Sequence, residues 1–151
     1  MFLKVLIIGT GEHTSEVLDN LTFQKNIKAV GLVSKSKKSL GKKFYGLKVV
    51  CTDSTIRNYI KKNKHINGYF IGLGTSNLIM EKRIEIIKKI PKELKTFNII
   101  HPTAIVSNSS TIGKGNLIES FTKIGPNATI GNYCIIQSFV SINHDVHIED
   151  N

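Results

Sequence analysis

The residues best suited to chemistry gather in one short stretch. Ile142 to Asn151 reads INHDVHIEDN, with two histidines, two aspartates and one glutamate in ten positions. Histidine titrates near neutral pH, so His144 can take a proton from an attacking nucleophile and release it again, the work of a general base. Asp145 beside it can orient the imidazole or hold its tautomer. The plainer reading of the same pair is a polar, exposed turn. His147 lies three residues after His144, a spacing that makes a metal site conceivable. A solvent-facing residue is the reading adopted for His147, and no metal is expected.

A second candidate is the glycine loop GTGEHT, Gly9 to Thr14. It follows an apolar run and opens a helical stretch, the context in which backbone amides at a helix N-terminus hold a phosphate. Its plainer reading is a tight strand-to-helix turn. Glu12 is out of place beside a phosphate, so either its side chain points away or the ligand differs. Cys51 and Cys134 form neither a disulfide framework nor a metal pattern. Cys134 occupies an inward position in a repeat and reads as core packing.

Residues 1–100 supply a scaffold of alternating strands and helices. FLKVLIIG, IKAVGLVS, KVVC and GYFIGLG are short apolar runs, as buried parallel strands require. TSEVLDNLTFQ has helical spacing. DSTIRNYIKK reads as a helix with Asp53 as its N-cap. NLIMEKRIEIIKKI is an amphipathic helix stopped by Pro91, and TFNII reads as a last strand. This alternation predicts a parallel sheet with helices on both faces.

From residue 101 the period changes. Val106, Ile112, Ile118, Ile124, Ile130, Ile136, Ile142 and Ile148 stand six apart, and all are β-branched aliphatics. Glycine follows at Gly113, Gly125 and Gly131. Two positions before each isoleucine stands a small or medium residue, Cys134 among them. A six-residue repeat predicts a parallel β-helix, each hexad forming one flat face with its aliphatic residue stacked inward. A last coil needs a cap, and only Glu149, Asp150 and Asn151 follow Ile148, so the expectation is an incomplete, truncated β-helix.

The totals set bounds. A chain of 151 residues, 40% of them hydrophobic, can bury a real core. No apolar run approaches a membrane span. The opening MFLKVLIIG reads as a first strand rather than a secretory signal, and a reducing, cytoplasmic setting fits the cysteine usage. The net charge is +10, concentrated in SKSKKSLGKK and IKKNKH. Aromatic residues do not interleave with these lysines and no nucleic-acid motif is present, so nucleic acid is not an expected partner. A polyanionic small ligand, such as a nucleotide or coenzyme A, uses the charge better.

Four stretches taken together, IIGTGEH at 7–13, IG at 71–72 followed by Arg83, HPTAIVSNSSTIGKG at 101–115 and INHDVHIEDN, resemble the sugar O-/N-acetyltransferases of the sialic acid O-acetyltransferase type. That group includes the enzymes that N-acetylate UDP-linked 4-amino sugars in bacillosamine synthesis. The resemblance implies an α/β Rossmann-like domain over 1–100 that binds the acceptor, then a left-handed parallel β-helix of hexapeptide repeats over 101–151. It implies a homotrimer with active sites between neighbouring β-helices, and acetyl-CoA as acyl donor. The acceptor would be a nucleotide-linked amino sugar or a nonulosonic acid of a bacterial surface or flagellar glycan. His144 would be the general base with Asp145 as its partner. Gly9, Gly11, Glu12, His13 and Gly72 would contact the acceptor, and Gln137 would lie near the active site.

Three departures stand out. Glu12 replaces a glycine of the family's GGH. After the second strand, where relatives often carry acids that hold the nucleotide base, this chain has Ser34 and Lys35. An NAD site would also want an acid there. Some N-acetylating relatives have asparagine at the Gln137 position, which leaves N- against O-transfer open. The competing expectations are a non-catalytic trimeric assembly or sensor module and, more remotely, an NADP-binding oxidoreductase.

Overall fold

The computed structural model describes residues 2–74 and 77–151. Strand β1 (Leu3–Ile8) is central in a five-stranded sheet. On one side lie β2 (Ile27–Ser34), β4 (Leu47–Thr52) and a short antiparallel edge, β3 (Lys43–Phe44); on the other lies β5 (Gly68–Ile71). All pairs except β3–β4 are parallel. Helices α1 (Glu12–Leu21), α2 (Ile56–Lys62) and α3 (Asn77–Lys89) make the connections.

Both faces of the sheet are covered, which is why consecutive rather than alternate residues are buried in runs such as residues 5–8 and Gly68–Ile71. Leu6 and Ile8 of β1 pack with Val33, Cys51 and Ile71 beneath Ile56 and Ile60 of α2 and Ile86 of α3. Val5 and Ile7 face the other way, onto Leu32, Val49, Phe70 and Val17 of α1. Burial pushes the Cys51 thiol up to about 12, so it stays protonated.

The C-terminal part is a coil of two-residue strands, each joined to the strand eighteen residues on. The strands are β6 (Ile99–Ile100), β7 (Ile105–Val106), β8 (Thr111–Ile112), β9 (Leu117–Ile118), β10 (Lys123–Ile124), β11 (Thr129–Ile130), β12 (Ile135–Ile136), β13 (Ser141–Ile142) and β14 (His147–Ile148). They form three parallel sheets, β6–β9–β12, β7–β10–β13 and β8–β11–β14. Ile118, Ile124, Ile130, Ile136 and Ile142 are buried in the coil's own core together with Ala128 and Cys134. Cys134 is therefore core, as its place in the hexad predicts, and burial raises its pKa.

Two sequence expectations need correction. The stretch TFNII does not extend the N-terminal sheet: Ile99 and Ile100 pair with Leu117 and Ile118, so the repeat begins one hexad before Val106. Asp53 is not a helix N-cap. Helix α2 starts after Thr55, and the Asp53 carboxylate accepts a hydrogen bond from the neighbouring Ser54 N–H at 2.8 Å.

The coil and the sheet share a core. Ile99 and Leu117 are fully buried and pack into the same cluster as Val5, Ile7 and Phe70. Polar ties add to this. Tyr69 and Tyr133 share a hydroxyl hydrogen bond of 2.7 Å, and Gln24 Nε2 donates to the Ile100 carbonyl at 2.9 Å. Arg83 of α3, 1% exposed, donates from Nη1 to the Leu73 carbonyl and from Nη2 to the Tyr133 carbonyl, the latter at 2.5 Å. An asparagine ladder starts the coil: Asn98 Nδ2 donates to the Gly113 carbonyl, and Asn116, also buried, accepts from the Cys134 N–H at 2.7 Å.

Truncating Leu117 opens a cavity where coil meets sheet. Leu117→Ala is expected to lose about 2–5 kcal/mol of stability in urea unfolding. A loss under about 1 kcal/mol, no more than a conservative core swap costs, would mean that this contact contributes little.

Candidate functional site

A cavity of about 390 Å³ opens at the carboxyl ends of β1, β2, β4 and β5. This is where the strand order reverses: β1 and β2 connect outward in one direction, and β5 returns on the other side of β1. Such a crevice is the usual ligand position in an open parallel sheet. Gly9, Thr10 and Gly11 form one wall, Ser34, Lys35 and Asp53 another, and Lys82, Glu85 and Lys89 of α3 a third.

The glycine loop has a structural cause. Gly9 has φ +142°, and a Cβ there would lie 2.6 Å from the Gly72 carbonyl oxygen. The same oxygen accepts a hydrogen bond from the buried Thr14 Oγ1 at 3.0 Å. Gly9 and Gly72 thus let the loop close against the end of β5, and Gly72 lies behind the lining. Gly11 is the N-cap of α1 and makes no side-chain cap, so the amides of that first turn receive no side-chain acceptor. Glu12 is exposed and lies outside the cavity lining. His13 also lies outside it. Its Nδ1 meets Glu16 Oε2 at 2.7 Å, and its buried Nε2 has no partner.

The α3 wall escapes sequence reading. Lys82, Glu85, Ile86 and Lys89 stand at i, i+3, i+4 and i+7, one face of a helix, but only the packing of α3 shows that this face looks into the cavity. Glu85 and Lys89 are hydrogen-bonded at 2.5 Å, which lowers the glutamate pKa and raises the lysine's.

His144 and Asp145 sit at a corner of the coil, stacked over residues 125–127 and 107–109. The His144 Nδ1 is 2.7 Å from Asp145 Oδ2. If Nδ1 carries its proton toward the carboxylate, Nε2 keeps a free lone pair directed away from it. Asp145 has φ +59°, a left-handed conformation, and its N–H donates to the Pro126 carbonyl at 3.0 Å. Asn127, one coil below, donates from Nδ2 to Asp145 Oδ1 at 3.1 Å. Each carboxylate oxygen therefore has one partner. The His144 hydrogen bond first, then that of Asn127, holds the Asp145 carboxyl below its ordinary pKa. Gly125 lets this corner close, since a Cβ there would lie 2.9 Å from the His144 backbone nitrogen. Asn127 was not among the residues singled out in the sequence; its eighteen-residue offset from Asp145 becomes a contact only once the coil period is known.

The pair does not meet the strand-end cavity within one chain. Among the described residues, the hydrogen bonds and clefts joining the N-terminal part to the coil fall on the other two corners. One is reached through Tyr133 and Gly113, the other through His101, Glu119, Ser120 and Ser138. His144 is 76% exposed on the remaining corner. Gln137 is exposed one corner earlier, and His147 faces solvent from β14. Among the described residues no three His, Cys, Asp or Glu side chains group as metal ligands, and no helix is long and apolar enough to cross a membrane.

Fold and corner define a parallel β-helix of the transferase hexapeptide type set beside an α/β sheet. Residues 109–144 match the bacterial transferase hexapeptide family (six repeats), and residues 1–61 match the C2185-like N-terminal family. Among solved structures, a mutant of GDP-perosamine N-acetyltransferase from Caulobacter crescentus, in complex with CoA and GDP-perosamine, has a TM-score of 0.79 at 22% identity, over 97% of this chain and 65% of that one. The acetyltransferase domain of PglB from Neisseria gonorrhoeae has a TM-score of 0.70 at 18% identity, over 98% of this chain and 68% of that one. The same domain in complex with acetyl coenzyme A aligns with a TM-score of 0.70. Among curated proteins none matches this sequence. The resemblance to hexapeptide-repeat sugar acetyltransferases is thus borne out in repeat and fold. The chain spans about 65% of the length of the perosamine enzyme.

Asn127→Gly keeps the backbone conformation easy and removes the amide from Asp145. NMR titration of the Asp145 carboxyl is expected to give a higher pKa in this variant than in the parent protein. An unchanged titration would show that the contact is not formed in solution.

Proposed function

We propose that this protein is an acetyl-CoA-dependent sugar acetyltransferase, acting on an amino or hydroxyl group of a nucleotide-linked bacterial surface sugar. The observation that carries this reading is the His144–Asp145 pair, anchored by Asn127 on a hexapeptide coil and turned away from the chain's own N-terminal part. The fold supports it, as do the CoA, acetyl coenzyme A and GDP-perosamine complexes of the similar structures.

In this reading the N-terminal part is a Rossmann-like acceptor domain and the coil is a left-handed β-helix that starts at β6. The strand-end cavity holds the nucleotide, with the diphosphate at the open N-terminus of α1 and near Lys35, Lys82 and Lys89. Lys35 replaces the acid expected for the base or ribose, while Asp53 supplies a carboxylate from the next strand. The acceptor sugar then leaves the cavity toward a His144 corner contributed by a second copy of the chain, so the active form is a homotrimer.

His144 Nε2 takes the proton from the attacking amine or hydroxyl. The freed lone pair adds to the thioester carbonyl, and the tetrahedral intermediate collapses by breaking the C–S bond, the departing sulfur taking the proton from the His144 imidazolium to leave as the CoA thiol. Asp145 stabilises the imidazolium and fixes its orientation, as an acid partner does in hydrolytic triads. No covalent intermediate on the protein is needed. Holding acceptor and thioester together supplies much of the rate.

The test is thiol release from acetyl-CoA with GDP- and UDP-linked 4-amino sugars. His144→Ala is expected to lower kcat by roughly 100-fold or more, the usual scale of a general base. Full activity in His144→Ala would remove the assigned role. Thiol release with no nucleotide sugar, but with a free nonulosonic acid, would move the acceptor to that class.

A further inference from the structure

A separate cavity of about 580 Å³ lies at the junction between the turn after α3 and the coil corner that holds Tyr133. Lys92 and Lys95 approach it from the N-terminal part and Lys114 from the coil. Among the described residues that line it, none carries a carboxylate. Glu93, between those lysines in sequence, lines a different cavity. Among the described residues no carboxylate forms an ion pair with any of the three lysines. Cations brought together from two parts of the fold repel one another until an anion joins them.

The other polar groups are also donors. Tyr69 and Tyr133 share one hydrogen bond of 2.7 Å, which uses one of their two hydroxyl protons. The second O–H is free to donate. Burial, then the bond to Tyr133, raises the Tyr69 pKa, so the phenol stays protonated. Thr96 Oγ1 is buried and has no partner. Gly115 lets Thr96 and the Tyr133 ring pack close to the coil backbone, since a Cβ there would lie 3.1 Å from Thr96 Oγ1 and 2.6 Å from the Tyr133 ring. A site rich in cations and hydroxyl donors, with no carboxylate, matches a ligand with several anionic oxygens. A pyrophosphate presents anionic oxygens at both ends, so it can meet ammonium groups from the N-terminal part and from the coil together.

We propose that this junction cavity binds a pyrophosphate group, free or within a nucleoside diphosphate, and is distinct from the acceptor cavity at the strand ends. A ligand that joins Lys114 to Lys92 and Lys95 acts in parallel with the Arg83–Tyr133 tie, so its binding stiffens the junction.

Calorimetric titration with inorganic pyrophosphate and with ADP, at constant ionic strength, tests the proposal on the parent protein, Lys114→Gln and Lys35→Gln. The expected result is saturable pyrophosphate binding with a component that is about tenfold weaker in Lys114→Gln and persists in Lys35→Gln, which removes a cation only from the strand-end cavity. Weakening of ADP in the same variant assigns the group to a nucleotide source; ADP indifferent to Lys114→Gln assigns it to the free anion. Pyrophosphate affinity unaffected by Lys114→Gln overturns the proposal, as does binding abolished by Lys35→Gln or no saturable binding at all. Circular dichroism of Lys114→Gln, expected to match the parent, separates lost binding from lost fold.

Discussion

One buried guanidinium sets the relation between the two parts of this molecule. Among the described residues Arg83 has no carboxylate partner, and burial pulls its pKa below the usual arginine value. Its charge is answered by two backbone carbonyls, one at Leu73 beside the strand-end cavity and one at Tyr133 on the coil. Taking such a charge out of water costs several kcal/mol unless its hydrogen bonds are well placed. The Arg83 Nε is buried with no partner among the described residues, so the two carbonyls supply the compensation. A lysine could not span both carbonyls with a planar fork. The wall of the strand-end cavity and the direction of the coil thus meet at one side chain of α3.

The coil obeys a second constraint, its turns. Gly115, Phe121, Asn127, Tyr133, Phe139, Asp145 and Asn151 all have positive φ, one in each six residues. Only one of these is glycine, and the left-handed conformation costs other residues roughly 1–2 kcal/mol. Ladder hydrogen bonds between coils and the stacked aliphatic core offset that cost. Asp145 is one of these corner residues. Its backbone places the carboxylate against His144 and over Asn127, so the geometry of the candidate catalytic pair follows from the turn itself.

Much of this is legible in the sequence, and the failures have physical causes. The hexad gives the coil because the inward position recurs without exception from Val106 to Ile148. It misses the first strand because Ile99 and Ile100 read as apolar in either setting, and only pairing with Leu117 and Ile118 decides between them. The glycine loop points to the cavity, since Gly9 has a backbone no other residue adopts easily. The lysine wall of α3 is not legible, because helical spacing shows that a face exists and not what it faces. Asp53 is misplaced for a similar reason: an acid just before a helix suits a cap, and the actual helix starts at Ile56. Asn127 needs knowledge of a closed coil.

The eighteen-residue coil also limits how such a protein can change. Pairing registers Ile105 with Lys123 and Lys123 with Ser141, so each side chain has a counterpart directly above and below it. Adding or removing one full coil returns the chain to the same three faces and shifts everything beyond by one strand spacing, about 4.8 Å. Any other insertion of repeat sequence would turn the His144 corner to a different face. The height of the histidine relative to the strand-end cavity is therefore adjustable only in discrete steps, while its direction is fixed. Changes of reach between the strand-end cavity and this corner come more readily from the loops around Lys35, which no coil pairing constrains, than from the coil itself.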